Sequence, residues 1–127
     1  MREIKFRAWD KKHKRMRGEV LSICWVDSFH CSREIHVRSS YPHPNTYPLD
    51  NMELMQFTGL FDKNGKEIWE GDILWGEDDS KVEILWENAC VQMKDESGDS
   101  WLAADHCKYW EVIGNIYENQ ELLTSAP

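Results

Sequence analysis

Apolar and polar positions alternate along short stretches of this chain, and turn-forming residues separate the stretches. Residues 4–9 alternate in this way before a polar run at 10–14, which predicts a strand followed by a turn. The returning strand is expected through Val20–Trp25, where mostly apolar side chains predict burial on both faces. We therefore expect residues 1–26 to form an N-terminal β-hairpin.

A second hairpin is predicted around Asn64-Gly65, which lies between two alternating runs within Leu54–Trp75. Asn and Gly are the residue types that tolerate the positive φ angles of a type I′ turn. Gly59 and Gly71 interrupt the same runs, as glycine does at bulges or where two backbones pass closely.

The residue after the second of these glycines, Asp72, is expected to accept backbone N–H bonds in a turn. Gly114-Asn115 predicts a similar bend within a final strand at Trp110–Tyr117. A short helical turn capped by Asn119 should follow that strand.

Residues 27–50 lack alternation and contain most of the prolines, so they are expected to form a long loop with an edge strand at Glu34–Arg38. The closely spaced strands and turns beyond this loop predict a small barrel or twisted antiparallel sheet. We interpret the chain as one mainly β domain, 1–127. Its parts are the N-terminal hairpin 1–26, the variable loop 27–50, a barrel-like β core 51–118 and a tail 119–127.

Composition supports a packed domain, because 41% of the 127 residues are hydrophobic and seven are tryptophans. No apolar run approaches the roughly 18 residues of a membrane span, and no signal peptide is evident, so we expect no membrane association and a cytoplasmic location. Trp25, Trp75, Trp86 and Trp110 lie in apolar strand patterns and are expected in the core. The other three lie beside turns or polar stretches and are candidates for a subunit interface, with partial burial in the core as the alternative: Trp9, Trp69 and Trp101.

The net charge of −8 argues against a general nucleic-acid binder. Charge is unevenly distributed, however, because residues 1–17 carry +6 and the remaining 110 residues carry −14. Three interpretations remain open for this basic segment: a solvated hairpin tip, self-association, or nucleic-acid binding. The last would place a set of cations on phosphates, with Trp9 stacking on bases. Those cations are Arg2, Lys5, Arg7, Lys11, Lys12, Lys14 and Arg15.

Arg7 and Trp9 have a second interpretation, as a cation–π pair or as partners of an acidic group of the protein itself. Glu67, Glu70 and Asp72 cluster in sequence, but we interpret them as a solvated acidic edge and not as an acid/base pair. No phosphate-binding glycine loop or nucleophile motif occurs, so the sequence predicts no enzyme and no cofactor.

Four cysteines at wide spacings favour reduced thiols over a disulfide framework. Two of them follow histidines, which leaves a Cys/His zinc site as a hypothesis, but no C-x₂₋₄-C knuckle supports it. The residues concerned are Cys24, Cys31, Cys90, Cys107, His30 and His106.

Three blocks in order, Lys5–Asp10, Leu54–Ile73 and Val112–Asn119, resemble the YopX family of phage and prophage proteins, and together they span nearly the whole chain. The resemblance implies a mostly β fold that includes an SH3-like barrel, a phage or prophage origin and homo-oligomers. It implies no reaction. We therefore predict an accessory interaction module that binds itself or a phage or host protein, with nucleic-acid binding through the basic hairpin as the alternative.

Overall fold

The computed structural model describes residues 3–25, 33–39, 44–76, 79–87, 90–95, 100–102 and 109–124. These residues contain eleven strands and a short C-terminal helix of four residues, and their strand pairings are antiparallel. The predicted mainly β class is confirmed. Among the same residues, no helix has the length and apolar character that a membrane span requires.

The chain forms two compact units, which we call the N-terminal unit (Lys5–Gln56) and the C-terminal unit (Phe57–Pro127 with Met1–Ile4). The sheet of the N-terminal unit has the spatial order β4-β3-β2-β1-β5. Its strands are β1 (Phe6–Asp10), β2 (Arg15–Cys24), β3 (Glu34–Val37), β4 (Asn45–Pro48) and β5 (Met52–Phe61), with a 3₁₀ turn at Leu49–Asn51.

Buried apolar side chains make the core of the N-terminal unit. They come from β1, β3, the 3₁₀ turn and the start of β5. Ala8 is fully buried, and the register places it opposite Gly18 of β2, so this pair leaves room on the sheet face for neighbouring side chains. The remaining buried members of this cluster are Ile35, Val37, Leu49 and Met52.

The prediction that Val20–Trp25 is buried on both faces is wrong. Leu21 is 44% exposed and Trp25 is 56% exposed. The pairing of β2 with β3 shifts register between Val20 and Ser22, so Leu21 occupies a bulge and the simple alternation is lost. Val20 and Ile23 still pack against the core.

The segment that was expected to be a loop supplies two strands. β3 confirms the predicted strand at Glu34–Arg38, but β3 lies between β2 and β4 and is therefore not at the edge. The edge strand is β4, which ends at Pro48. Proline lacks a backbone N–H, but it is tolerated at a sheet edge, where that donor is not needed. The prolines made this edge strand resemble a loop in the sequence.

β5 continues into the C-terminal unit, where its last residues pair with β6. The other strands of this unit form a sheet in the order β10-β9-β8-β7-β11. The elements are β6 (Glu67–Trp69), β7 (Asp72–Trp75), β8 (Lys81–Glu87), β9 (Cys90–Lys94), β10 (Ser100–Leu102), β11 (Glu111–Asn115) and α1 (Glu121–Thr124). The ladders of the described residues leave this sheet open between β10 and β11, and closure into an SH3-like barrel stays a prediction.

The buried cluster of the C-terminal unit consists of Ile68, Leu74, Val82, Ile84 and Met93. They come from four strands, β6 to β9; buried and more exposed positions alternate in β6 and along most of β8, whereas the first three residues of β7 are all buried. Trp110 packs against this cluster, as the sequence predicted.

Two predicted glycine positions are confirmed as sites of special backbone geometry. Gly59 has φ +84° and lies at a register shift between β5 and β6. Gly71 has φ +88°, donates its N–H to the Ile84 carbonyl at 2.7 Å and accepts the Ile116 N–H at 2.9 Å. Both positions therefore favour a residue without a Cβ.

The turn at Asn64-Gly65 differs from the predicted type I′ geometry. Gly65 has φ +80°, but Asn64 is not among the described residues with positive φ. Asp62 organises the turn instead, because its Oδ1 accepts the Asn64 and Lys66 N–H groups, each at 2.8 Å, and its carbonyl accepts the Gly65 N–H.

The predicted bend at Gly114-Asn115 is confirmed. Asn115 Oδ1 accepts the N–H groups of Tyr117 and Glu118 at 3.0 Å and 2.9 Å. Asn119, expected as a helix cap, directs its Oδ1 to the Asn115 N–H at 3.2 Å, and a Cβ on Gly114 would collide with that side chain.

Asp62 also links the hairpin to β11, because its Oδ2 accepts the Val112 N–H at 3.0 Å. Burial opposes ionisation, but the N–H groups of Val112, Lys66 and Asn64 outweigh it and hold the pKa of Asp62 below its usual value. The ionised carboxylate is thus a structural part of the C-terminal unit.

We predict that Asp62→Ala lowers the free energy of unfolding by about 2–4 kcal/mol at pH 7, since three N–H groups lose their acceptor. The folded-state pKa is depressed, so this contribution is present above the unfolded-state pKa and is lost as pH falls through the folded one. Urea denaturation at pH 7 and pH 3 should show the difference from wild type shrinking at pH 3. Asp50→Ala, at a 79% exposed side chain, is the control with an expected effect under about 0.5 kcal/mol.

Candidate functional site

A buried carboxylate shapes the tip of the β1–β2 hairpin. Asp10, at the end of β1, is 1% exposed. Its Oδ1 accepts the backbone N–H groups of Lys12 and His13, both at 3.0 Å. These two bonds turn the chain back on itself, because they satisfy donors that no strand partner reaches.

The second oxygen of Asp10 binds two side chains. Arg17 donates to Oδ2 through Nε at 3.1 Å and Nη2 at 2.9 Å, and His13 Nδ1 lies 2.8 Å from the same oxygen. The Arg17 guanidinium also lies over the Tyr47 ring, 4.7 Å from its centroid. The stack of Asp10, Arg17 and Tyr47 therefore ties the hairpin to the edge strand β4.

Hydrogen-bond donors around Asp10 keep its carboxylate ionised. Burial alone would raise the pKa of Asp10, but the hydrogen bonds from His13 and Arg17 hold it well below its usual range. The carboxylate is ionised at neutral pH and is compensated locally by Arg17, whose side chain is 16% exposed.

Five consecutive polar residues project beyond this anchor, and we call residues 11–15 the basic tip. All five are exposed, and Lys14 adopts φ +54°, which completes the turn. Lys11 pairs with Glu53 at 3.4 Å, with both side chains about half exposed. The structure thus brings together four of the predicted interaction residues: Lys11, Lys12, Lys14 and Arg15.

The other predicted interaction residues lie elsewhere. Trp9 is 8% exposed and belongs to the core, in agreement with the alternative of core burial. Arg7 is partly buried on β1, opposite Glu19 on one side and Met55 on the other. Trp69 lies on β6 of the C-terminal unit, and the Trp101 side chain is outside the described residues.

Sequence reasoning missed the residues that build the tip: Asp10, His13, Arg17 and Tyr47. Asp10 could have been recognised from the sequence, because it lies at a strand end, two and three residues before Lys12 and His13, whose N–H groups it accepts. Tyr47 carried no such signal, because it lies in a stretch that was interpreted as a loop.

Cys24 forms a disulfide, so the expectation of reduced thiols is wrong at this position. The other residues of the zinc hypothesis cannot be placed with it: Cys31, Cys107, His30, His106 and the Cys90 side chain lie outside the described residues. Among the part of the chain that is described, no three His, Cys, Asp or Glu side chains are grouped as metal ligands would be.

The interpretation of Glu67, Glu70 and Asp72 as a solvated acidic edge is wrong for Asp72, which is buried. Asp72 is 2% exposed and accepts the Trp69 N–H at 2.8 Å, as predicted for a turn carboxylate. Burial raises the pKa of Glu83, Lys94 opposes that rise, and the Glu70 carboxylate adds to it. Glu70 and Glu83 therefore repel each other, and Lys94 offsets part of that repulsion.

A Ser-His-acid arrangement also occurs on the open face of β2 and β3. Ser22 Oγ lies 2.9 Å from His36 Nδ1, and His36 Nε2 lies 3.7 Å from Glu34 Oε1. The second distance exceeds a hydrogen bond, and Ser22 is on an exposed sheet surface. We assign it no nucleophilic role.

We predict that Asp10→Ala lowers the free energy of unfolding by about 3–5 kcal/mol, because it leaves the Arg17 guanidinium without its buried partner. Hydrogen exchange of amides 11–15 should accelerate in the variant relative to wild type. Glu53→Gln removes only an exposed pair and should cost at most about 1 kcal/mol. Equal effects of the two substitutions would contradict the anchoring role of Asp10.

Comparison with known proteins places the fold. A profile described as YopX protein matches residues 5–124. Protein EF1440 from Enterococcus faecalis is 28% identical, with 97% of this chain and 99% of that chain covered and a TM-score of 0.66. Protein yopX from Bacillus subtilis is 19% identical over 100% of both chains, with a TM-score of 0.60.

The search of curated proteins found no match. The profile nevertheless covers all the strands described above, from β1 to β11. This chain therefore belongs to the YopX protein family.

Proposed function

We propose that this protein is a phage- or prophage-encoded accessory module that acts by binding in the bacterial cytoplasm, and that its basic tip docks on an acidic protein surface. The first such surface is a second copy of the same chain; a phage or host protein of similar charge is the other. The observation that carries the proposal is the anchored tip itself. Four permanent cations project from a turn whose geometry a buried carboxylate fixes.

Preorganisation favours this use. Tip residues held in one conformation lose little entropy on binding, and exposed cations accelerate association with an acidic partner. Burial of Asp10 also keeps its negative charge away from the surface that a partner would meet.

Charge complementarity points to a second copy as a partner. The N-terminal unit carries nine Lys or Arg against six Asp or Glu, whereas residues 57–127 carry five against sixteen. A basic unit and an acidic unit within one chain allow two copies to pair reciprocally.

Nucleic-acid binding is the second candidate, favoured by the same exposed cluster of cations. Two observations weigh against it. The chain as a whole carries −8, and Trp9, the ring expected to stack on bases, is 8% exposed.

We predict that the double variant Lys12→Glu with Lys14→Glu remains folded but loses self-association. Light scattering at about 50 mM and 500 mM salt should show assembly of the wild type at low salt that weakens at high salt, because exposed charges are screened. The matched control is Arg33→Glu with Arg38→Glu, which makes the same charge change at exposed positions of the N-terminal unit outside the basic tip and should leave assembly unchanged.

Monomeric wild type at both salt concentrations would refute self-association. Gel shifts with single- and double-stranded DNA at low salt then test the second candidate. Binding that falls steeply with salt and that the tip variant abolishes would support it.

A further inference from the structure

One face of the β5–β6 hairpin carries three aromatic rings in contact. Phe57 pairs with Trp69 across the ladder, with ring centroids 5.5 Å apart, and Phe61 meets Phe57 edge-on at 5.8 Å. Phe57 is 2% exposed, Trp69 is partly exposed and Phe61 is 50% exposed. The cluster is therefore anchored in the core and open at Phe61.

A β-bulge brings these rings to one side. Thr58 Oγ1 donates to the Ile68 carbonyl at 2.6 Å and accepts the Leu60 N–H at 3.1 Å, while Gly59 takes up φ +84°. The bulge turns the strand while keeping Phe61 in edge contact with Phe57.

A carboxylate borders the open ring. Glu67 is the ladder partner of Phe61, and it lies two residues before Trp69 on β6. Cross-strand partners, and residues two apart on a strand, share a face. We call the set Phe57, Phe61, Glu67 and Trp69 the aromatic face.

An aromatic ring beside a carboxylate suits a cation. The ring face attracts lysine or arginine through its quadrupole, and the carboxylate supplies the opposite charge. Glu70, the residue after Trp69, interacts unfavourably with Glu83 of β8, and Lys94 offsets part of this repulsion.

We propose that the aromatic face binds lysine or arginine side chains of the basic tip of a second copy. This inference rests on the self-association proposed above and names its receiving surface. Each copy supplies one tip and one aromatic face, so two copies that exchange these contacts form a two-fold dimer. The lysine and arginine side chains of the basic tip are exposed, and Asp10 fixes the turn backbone that carries them, so they match this face.

Two substitutions test the face without disturbing its buried anchor: Phe61→Ala, at the half-exposed ring, and Glu67→Lys. Sedimentation equilibrium at low salt should show each weakening the dimer by roughly fivefold to tenfold. Glu118→Lys makes the same charge change at an exposed position of the C-terminal unit and should leave dimerisation unchanged.

A charge exchange makes the test specific. Glu67→Lys combined with Lys12→Glu and Lys14→Glu should dimerise more tightly than either the single or the double variant alone. A wild type that never dimerises would refute self-association itself. A wild type that dimerises through its tip, while Phe61→Ala and Glu67→Lys bind as wild type does, would overturn only the aromatic face.

Discussion

The ionised carboxylate of Asp10 is the interaction on which the N-terminal unit depends most. It lies at the end of a strand, out of contact with water, and two backbone amides and the Arg17 guanidinium compensate it. An uncompensated charge in that position would be costly, so the turn, the arginine and the ring of Tyr47 must adopt one arrangement together. The same bonds fix the turn between Asp10 and Arg17, and the cations of that turn are exposed.

The C-terminal unit uses the same device at other turns. Asp62 and Asp72 are buried and accept backbone N–H groups, and Asn115 does so with a neutral oxygen. Acidic residues that look like surface charge in the sequence thus serve as acceptors in the interior. This accounts for part of the acidic composition without any catalytic role.

Strands were predictable from sequence where alternation was strong, and glycine positions where a pattern was interrupted, as at Gly59 and Gly71. The failures have local causes. Asn64-Gly65 suggested a two-residue turn because its composition fits one, but Asp62, two residues earlier, sets the geometry through its side chain. Val20–Trp25 looked buried because a bulge that breaks alternation leaves no mark in residue type.

The candidate site was only half visible for a related reason. Lysines at a hairpin tip can be recognised from spacing, whereas their anchor joins residues from three separate segments. The contact of Arg17 with Tyr47 depends on a long-range pairing order that no local pattern encodes.

The hydrogen bond between Asp62 and Val112 joins residues 50 positions apart, and β7 has β11 as a ladder partner. During synthesis on the ribosome, Val112 and β11 emerge after all the strands of the N-terminal unit. The ladders of the N-terminal unit can close once residue 56 has left the exit tunnel, whereas the C-terminal sheet must wait until β11 has emerged. The basic N-terminal unit can therefore begin to fold before the acidic C-terminal unit has been synthesised.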